Sequence, residues 1–312
     1  VGKNQKVRGS RVCSRFGVNP GFKEVTVFET VKEKKRLQWK TVFLASFFTL
    51  VLFPIAFISQ DAVLATAKGR LYLVSVGVGD SDLITLRAIE TIAKSDVIIC
   101  REETQEQFAA YLEGKELVDI SKAGWRTYGK DCPPMEDSEA RAKWEHDRKS
   151  RGQLILEIRS AIDAGKTVAV LGSGDLLLYG GPYRWYLKEF ADLQPRLIPG
   201  VSCFNAANAA LGTDVAAGKE TRGVVLTTIR EVEKLSQGHP TMVIFTMFTK
   251  FEDLVVKLRT LYPLETPIAI VFYAGYKEKE RVVQGTLDTI LDQVRGEKFP
   301  FEHLVYVGDF LK

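Results

Sequence analysis

From Gly69 onward, short apolar runs alternate with segments whose apolar residues recur at helical spacing. RLYLVSVG, DVIIC, ELVDIS, TVAVLGS and RLIPG have the length and composition of buried strands. Between the first two, SDLITLRAIETIAKS puts Leu83, Leu86, Ile89, Ile92 and Ala93 on one helical face, with Ser81 or Asp82 as its N-cap. EQFAAYLEG reads as a helix closed by Gly114, GQLILEIRSAIDAG as the helix before the fourth strand, and CFNAANAALG as the helix after the fifth. This β-α-β-α order predicts a parallel sheet covered on both faces. Beyond Gly200 the rhythm changes. GVVLTT, TMVIFTM, PIAIVFYAG, RVVQGTL and HLVYVGDFL are strand-like, and only FEDLVVKLRTLY and TLDTILDQVRG read as helices among them. Strand-to-strand steps without a helix predict a mixed sheet. The expected fold class is α/β with two α/β domains, 68–200 and 201–312, meeting near the Pro199-Gly200 turn.

The first 67 residues follow another pattern. TVFLASFFTLVLFPIAFIS runs from Thr41 to Ser59 without a charge, just long enough to cross a bilayer as a helix. The basic run KEKKRLQWK precedes it, which predicts a cytoplasmic start and an exported body. Ala65-Thr66-Ala67 fits the small-x-small pattern of a signal peptidase site. Residues 1–40 therefore read as a basic tail and 41–67 as a signal peptide or a membrane anchor. The body is expected outside the cytoplasm, exported or anchored in the inner membrane, with a cytoplasmic body as the alternative. The chain begins with Val and has no Met before Met135, so Val31, from an alternative start codon, is a candidate true start.

Charge sharpens that division. Of 43 Lys/Arg and 39 Asp/Glu, residues 1–40 hold eleven and three, leaving 32 basic and 36 acidic residues for the remainder. A mildly acidic body without Arg-rich stripes argues against a nucleic-acid-binding role. Cys13, Cys100, Cys132 and Cys203 form no CxxC pair, and His146, His239 and His303 stand far apart, so no zinc site or disulfide framework is expected. MEDSEARAKWEHDRKSRGQ, residues 135–153, is highly charged with little apolar period. It is either a solvated helix or loop, or a lid or protein-docking element.

Chemistry is carried by glycine turns. VSVGVGD places a GxG turn after the first strand, but Asp82 stands where a dinucleotide fingerprint needs its third glycine, which disfavours a nicotinamide enzyme. LGSGDLLLYGG follows the fourth strand. Together with GRLYLVSVGVGDSDLITLRAIETIAKSDVII, IPGVSCFNAANAALG, TMVIFTMFTKFEDLVVKL and TPIAIVFYAGYKEKERVVQGTLDTI, in this order and spacing, it makes the chain from residue 69 to the end resemble the tetrapyrrole (corrin/porphyrin) methylase superfamily.

The resemblance implies two α/β domains with S-adenosylmethionine (SAM) folded in the cleft between them, and methyl transfer to a corrinoid or porphyrinoid. It places cofactor contacts on Ser173, Gly174, Asp175 and Leu178, on Ser202 and Cys203 after the PGV turn, on Thr246 and Met247, and on Ala274. It also implies a homodimer. Asp80 and Tyr179 are the candidates to orient substrate. For Asp80 the alternative is a helix N-cap, and for Tyr179 packing between the domains. The chain departs from the family where Val78 and Leu176 replace prolines in the two cleft turns, and where TDVAAG, 213–218, replaces an IPLT-like run. Because proline fixes φ, its loss is expected to loosen the turns. That leaves a second reading open: a catalytically degenerate, exported or membrane-anchored descendant that binds a tetrapyrrole or a protein partner.

Overall fold

A computed structural model describes residues 69–312 apart from 122, 220–222 and 248–249. The basic tail and the signal or anchor segment lie outside the described residues. Among the described residues no helix is long and apolar enough to cross a membrane.

In chain order the elements are β1 (Leu71–Ser75), α1 (Leu86–Ala93), β2 (Val97–Cys100), α2 (Glu102–Gln107), α3 (Ala109–Leu112), β3 (Glu116–Asp119), α4 (Ser138–Asp163), β4 (Val168–Gly172), α5 (Tyr183–Glu189), β5 (Arg196–Ile198), α6 (Cys203–Leu211), β6 (Val224–Thr228), α7 (Val232–Leu235), β7 (Thr241–Phe245), α8 (Phe251–Arg259), β8 (Pro267–Phe272), β9 (Arg281–Thr286), α9 (Ile290–Gln293) and β10 (His303–Val307). The first sheet is wholly parallel, in the order β3-β2-β4-β1-β5. The second runs β6-β7-β10-β8-β9, with β6 and β7 parallel and the other pairs antiparallel. Both sheets belong to the same compact unit.

The apolar runs of the sequence explain this architecture. Every residue of β2, β4 and β7 is buried, as strands covered on both faces require. In the first lobe one face packs Leu73, Val170, Ile158 and Tyr186, and the other packs Val74, Ile92, Ile98 and Leu171. In the second lobe α8 buries Phe251, Leu254, Val255 and Leu258 on one face, while α6 covers the other with Ala206 and Ala207.

Three local expectations need correction. The first helix does not start at Ser81 or Asp82. Ser81–Leu83 is a 3-10 turn, and α1 begins at Leu86 with Thr85 as N-cap, whose hydroxyl accepts from Ala88 N at 3.2 Å. Its buried face is Ala88, Thr91 and Ile92, and Leu86 is 79% exposed. EQFAAYLEG breaks at Phe108 into α2 and α3, since Phe108 leaves the helical region while its side chain is buried. In TLDTILDQVRG only Ile290–Gln293 is helical.

The charged segment 135–153 is helical from Ser138 and continues without a break into the next predicted helix, forming the 26-residue α4. Asp147 and Arg151 on it are buried. Arg151 Nη1 donates to Gly124 O (2.8 Å) and Thr127 Oγ1 (3.1 Å), and Trp144 Nε1 donates to Lys130 O (3.1 Å). These polar residues tie the irregular stretch after β3 to the first lobe.

Two groups of described contacts join the lobes by hydrogen bonds. Gly79 and Gly275 approach backbone to backbone: a Cβ on Gly79 would lie 2.2 Å from Gly275 O. Beside them Asp80 N donates to Gly275 O (2.9 Å), and Asp80 Oδ2 accepts from Lys277 N (2.9 Å). Elsewhere Tyr179 Oη donates to Leu226 O (3.2 Å).

Candidate functional site

A cavity of about 390 Å³ opens where the carboxyl ends of the first sheet face the second lobe, the usual place for ligands in open α/β sheets. The turn after β4 supplies Ser173, Gly174, Asp175, Leu178 and Tyr179, and the turn after β5 supplies Ser202 and Cys203. The end of β7 gives Phe245, Thr246 and Met247, and the segment after β8 gives Ala274. The structure thus brings ten sequence-predicted residues around one space. Asp80 is not among them: it lines an adjoining open groove of about 490 Å³, with Asp82, Gln107, Tyr276, Lys277 and Lys279.

The glycine turn is shaped for close approach. Gly174 has φ +71° and open space where a Cβ would stand, the conformation that glycine adopts without strain. Gly174 N donates to Gly77 O (2.8 Å), joining the β4 turn to the β1 turn. Asp175 Oδ1 accepts from Leu177 N (2.8 Å), closing an Asx turn. Gly200 seats the third turn: a Cβ there would lie 2.7 Å from Ser75 Cβ and 2.8 Å from Gly174 O.

The two turns that lack proline are not loose. Val78 N donates to Val201 O (3.1 Å). Leu176 N donates to the buried Ser75 Oγ (3.1 Å), and the Leu176 side chain is itself buried. Proline has no N–H to give, so at each position a hydrogen bond provides restraint that ring closure would otherwise supply.

Individual side chains have settled roles. Asp80 is not a side-chain cap, because its carboxylate makes no bond to the 3-10 turn that follows and instead accepts across the lobes from Lys277 N. Ser202 is the N-cap of α6: its hydroxyl accepts from Asn205 N (3.3 Å) and donates to Asn205 Oδ1 (2.7 Å), leaving little to offer a ligand. Ser173 Oγ reaches Gly77 O at 3.4 Å, a weak bond. Thr246 Oγ1 is buried and has no partner. Burial pushes the Cys203 thiol up to about 11, so it stays protonated, and it also raises the Tyr179 phenol. The Tyr179 ring packs on Phe245 with centroids 4.4 Å apart and planes tilted by 38°, so the expected packing between lobes and its position on the cavity wall coincide.

Backbone strain gathers here. Tyr179 (φ +57°) and Met247 (φ +55°) line the cavity in left-handed conformations, and Tyr273 (φ +51°) directly precedes Ala274. Non-glycine residues held this way cost about 1–2 kcal/mol each and collect where a site over-determines its backbone.

Sequence reasoning missed Arg101, Tyr276 and Glu302 on the cavity wall. Arg101 directly follows β2, and the strand-end rule alone would have marked it. Tyr276 and Glu302 sit in connections whose course only the folded second sheet reveals. Among the described residues no cluster of three His, Cys, Asp or Glu side chains is placed to hold a metal ion.

Comparison with known proteins adds to this geometry. The family model of the Tetrapyrrole (Corrin/Porphyrin) Methylases matches residues 70–291. The chain is 28% identical to the cobalt-precorrin-4 C(11)-methyltransferase of Methanocaldococcus jannaschii, covering 78% of this chain and 88% of that protein. Its fold is similar to the crystal structure of a cobalt precorrin-4 methyltransferase, a cobalamin biosynthetic enzyme (TM-score 0.62, 19% identity, 79% of this chain and 98% of that one). It is also similar to a uroporphyrin-III C-methyltransferase from Thermus thermophilus in complex with S-adenosylhomocysteine (TM-score 0.56, 18% identity, 78% and 99%).

Proposed function

Because the chain belongs to the tetrapyrrole (corrin/porphyrin) methylases, we propose that it is a SAM-dependent methyltransferase acting on a tetrapyrrole, a corrinoid or porphyrinoid. The observation that carries this reading is the single cavity formed by the Ser173–Asp175 turn, the PGV turn and the ends of β7 and β8. Its residues fit the cofactor. Gly174 leaves space for backbone approach, Asp175 offers a carboxylate toward a sulfonium or ammonium, the unpartnered Thr246 hydroxyl can donate or accept, and Leu178, Val271 and Ala274 give apolar walls.

When bound, SAM supplies a methyl group already activated for in-line displacement. The protein's part is then alignment and exclusion of water. Ser173, Gly174 and Asp175 hold the cofactor, and Leu178, Phe245 and Met247 keep the space dry. Tyr179 and the adjoining groove at Asp80 orient the acceptor, with Asp80 acting by fixing the Gly275–Lys277 loop. The bonds from Val78 N and Leu176 N favour a working site over a degenerate one.

Calorimetry with S-adenosylhomocysteine, followed by mass spectrometry of uroporphyrinogen III incubated with SAM, tests the reading. Micromolar binding and a gain of one or more methyl groups are expected. No binding of S-adenosylhomocysteine, alongside a spectral shift on adding a porphyrin, would leave only the ligand-binding descendant. The apolar run at Thr41–Ser59 supports an exported or anchored body, and an alkaline phosphatase fusion at the C-terminus tests that separately.

A further inference from the structure

We propose that Arg101 is the carboxylate-binding residue of the cavity, a contact that deepens the methyltransferase reading above and rests on it. Arg101 directly follows β2, at the carboxyl edge of the parallel sheet, where it is the N-cap residue of α2. Among the described residues lining the cavity it is the one Lys or Arg, and it shares that wall with two carboxylates, Asp175 and Glu302. Its side chain is exposed and makes no hydrogen bond or ion pair with any described residue. Arg151 and Arg159 of the same lobe are engaged, the first holding Gly124 O and the second forking onto Asp192, so neither is free to serve a ligand.

An unengaged guanidinium presents five N–H donors in a planar fork that matches a carboxylate in bidentate fashion. The fork is needed because Asp175 and Glu302 repel any incoming carboxylate, and no other Lys or Arg among the described residues of the cavity wall offsets them. Two ligands of a tetrapyrrole methylase bring that group: the α-carboxylate of the cofactor's methionine moiety and the acid side chains of the macrocycle. The chemistry Arg101 reads is the same for both.

The test uses the full chain, wild type and Arg101→Gln, with three probes. S-adenosylhomocysteine carries the α-carboxylate, methylthioadenosine lacks it, and uroporphyrin III carries acid side chains on a macrocycle. Loss of a charge-assisted fork corresponds to a rise in Kd of roughly 10- to 100-fold. If Arg101 holds the cofactor, Arg101→Gln weakens S-adenosylhomocysteine by that factor and leaves methylthioadenosine unchanged. If it holds the macrocycle, uroporphyrin III weakens and both nucleosides are unaffected. In either case Arg101→Lys, which keeps the charge without the fork, restores part of the loss. Unchanged binding of all three probes overturns the inference, as does equal weakening of all three, which signals general damage. A wild-type protein that binds neither S-adenosylhomocysteine nor uroporphyrin III sinks the methyltransferase reading itself, and the inference with it.

Discussion

The hydroxyl of Ser75 gives the sharpest test of how the glycine turn is held. Ser75 is 2% exposed, and its Oγ accepts from Leu176 N at 3.1 Å, on a residue that is also 2% exposed. Ser75→Ala removes the acceptor and leaves a buried N–H with no partner, because water cannot reach it. Such an orphaned donor costs about 1–3 kcal/mol. The lost volume is one oxygen, so cavity terms are small, and relief from burying the serine hydroxyl trims the net loss toward the lower half of that range. In a domain of this size each kcal/mol lowers Tm by about 2–4 °C. Urea denaturation and a thermal scan read the stability change, and calorimetry reads the second effect: the turn at Ser173–Asp175 loses its buried tether, so S-adenosylhomocysteine binds more weakly. Ser236→Ala is the control. That serine is also buried, and its hydroxyl donates to Glu233 O away from the cavity, so it is expected to cost stability without touching affinity. A Ser75→Ala protein within about 0.5 kcal/mol of wild type, the ordinary scatter of neutral substitutions, with unchanged affinity would refute the idea that this bond replaces proline.

Other consequences are open to measurement. Gly200→Ala forces a methyl to within 2.7 Å of Ser75 Cβ and 2.8 Å of Gly174 O, so a loss of about 1–3 kcal/mol in urea is expected, together with weaker cofactor binding. Met247→Gly relieves a left-handed residue worth about 1–2 kcal/mol but removes part of the apolar wall; Tm should hold or rise while S-adenosylhomocysteine affinity falls. With its thiol near 11, Cys203 is ionised to roughly one part in a thousand at pH 8. Mass-mapped alkylation at that pH should mark the exposed Cys132 well before Cys203. Burial also lowers the His303 imidazole below its ordinary 6.5. Its contribution to stability is therefore complete above 6.5 and declines as pH falls toward the lower folded value. Wild type should lose more stability than His303→Gln between pH 7.5 and 5.5.

Much of this fold was legible because its strands are nearly continuous apolar runs. TVAV and TMVIF can only be buried, and the helices between successive strands of the first lobe make its sheet parallel. The glycine turn proposed to hold the cofactor was legible through Gly174, whose residue type is dictated by its backbone. Helix starts were less legible. SDLITL carries a helical apolar spacing, yet Asp80 N is engaged by Gly275 O, nearly two hundred residues away, and Thr85 is the residue that caps α1. The same long-range bond is why Asp80, read from local sequence as a helix cap or a substrate-orienting group, proves to tie the lobes together. Arg101 is legible by position and not by motif: it directly follows a predicted strand of the parallel sheet, where ligands gather, although nothing else in IICRE sets it apart from a surface arginine.

The paired glycines Gly79 and Gly275 have a mechanical meaning. At that contact the lobes touch main chain to main chain and are stitched by two bonds at Asp80, so no rotamer change can widen the gap. The contact from Tyr179 to Leu226 lies on β6, three strand spacings from β8 or about 14 Å away, and combines one phenolic hydroxyl with the packing of its ring on Phe245. The spacing of the lobes is thus set by main chain alone at the glycine contact, whereas at the β6 side it rests on the Tyr179 side chain.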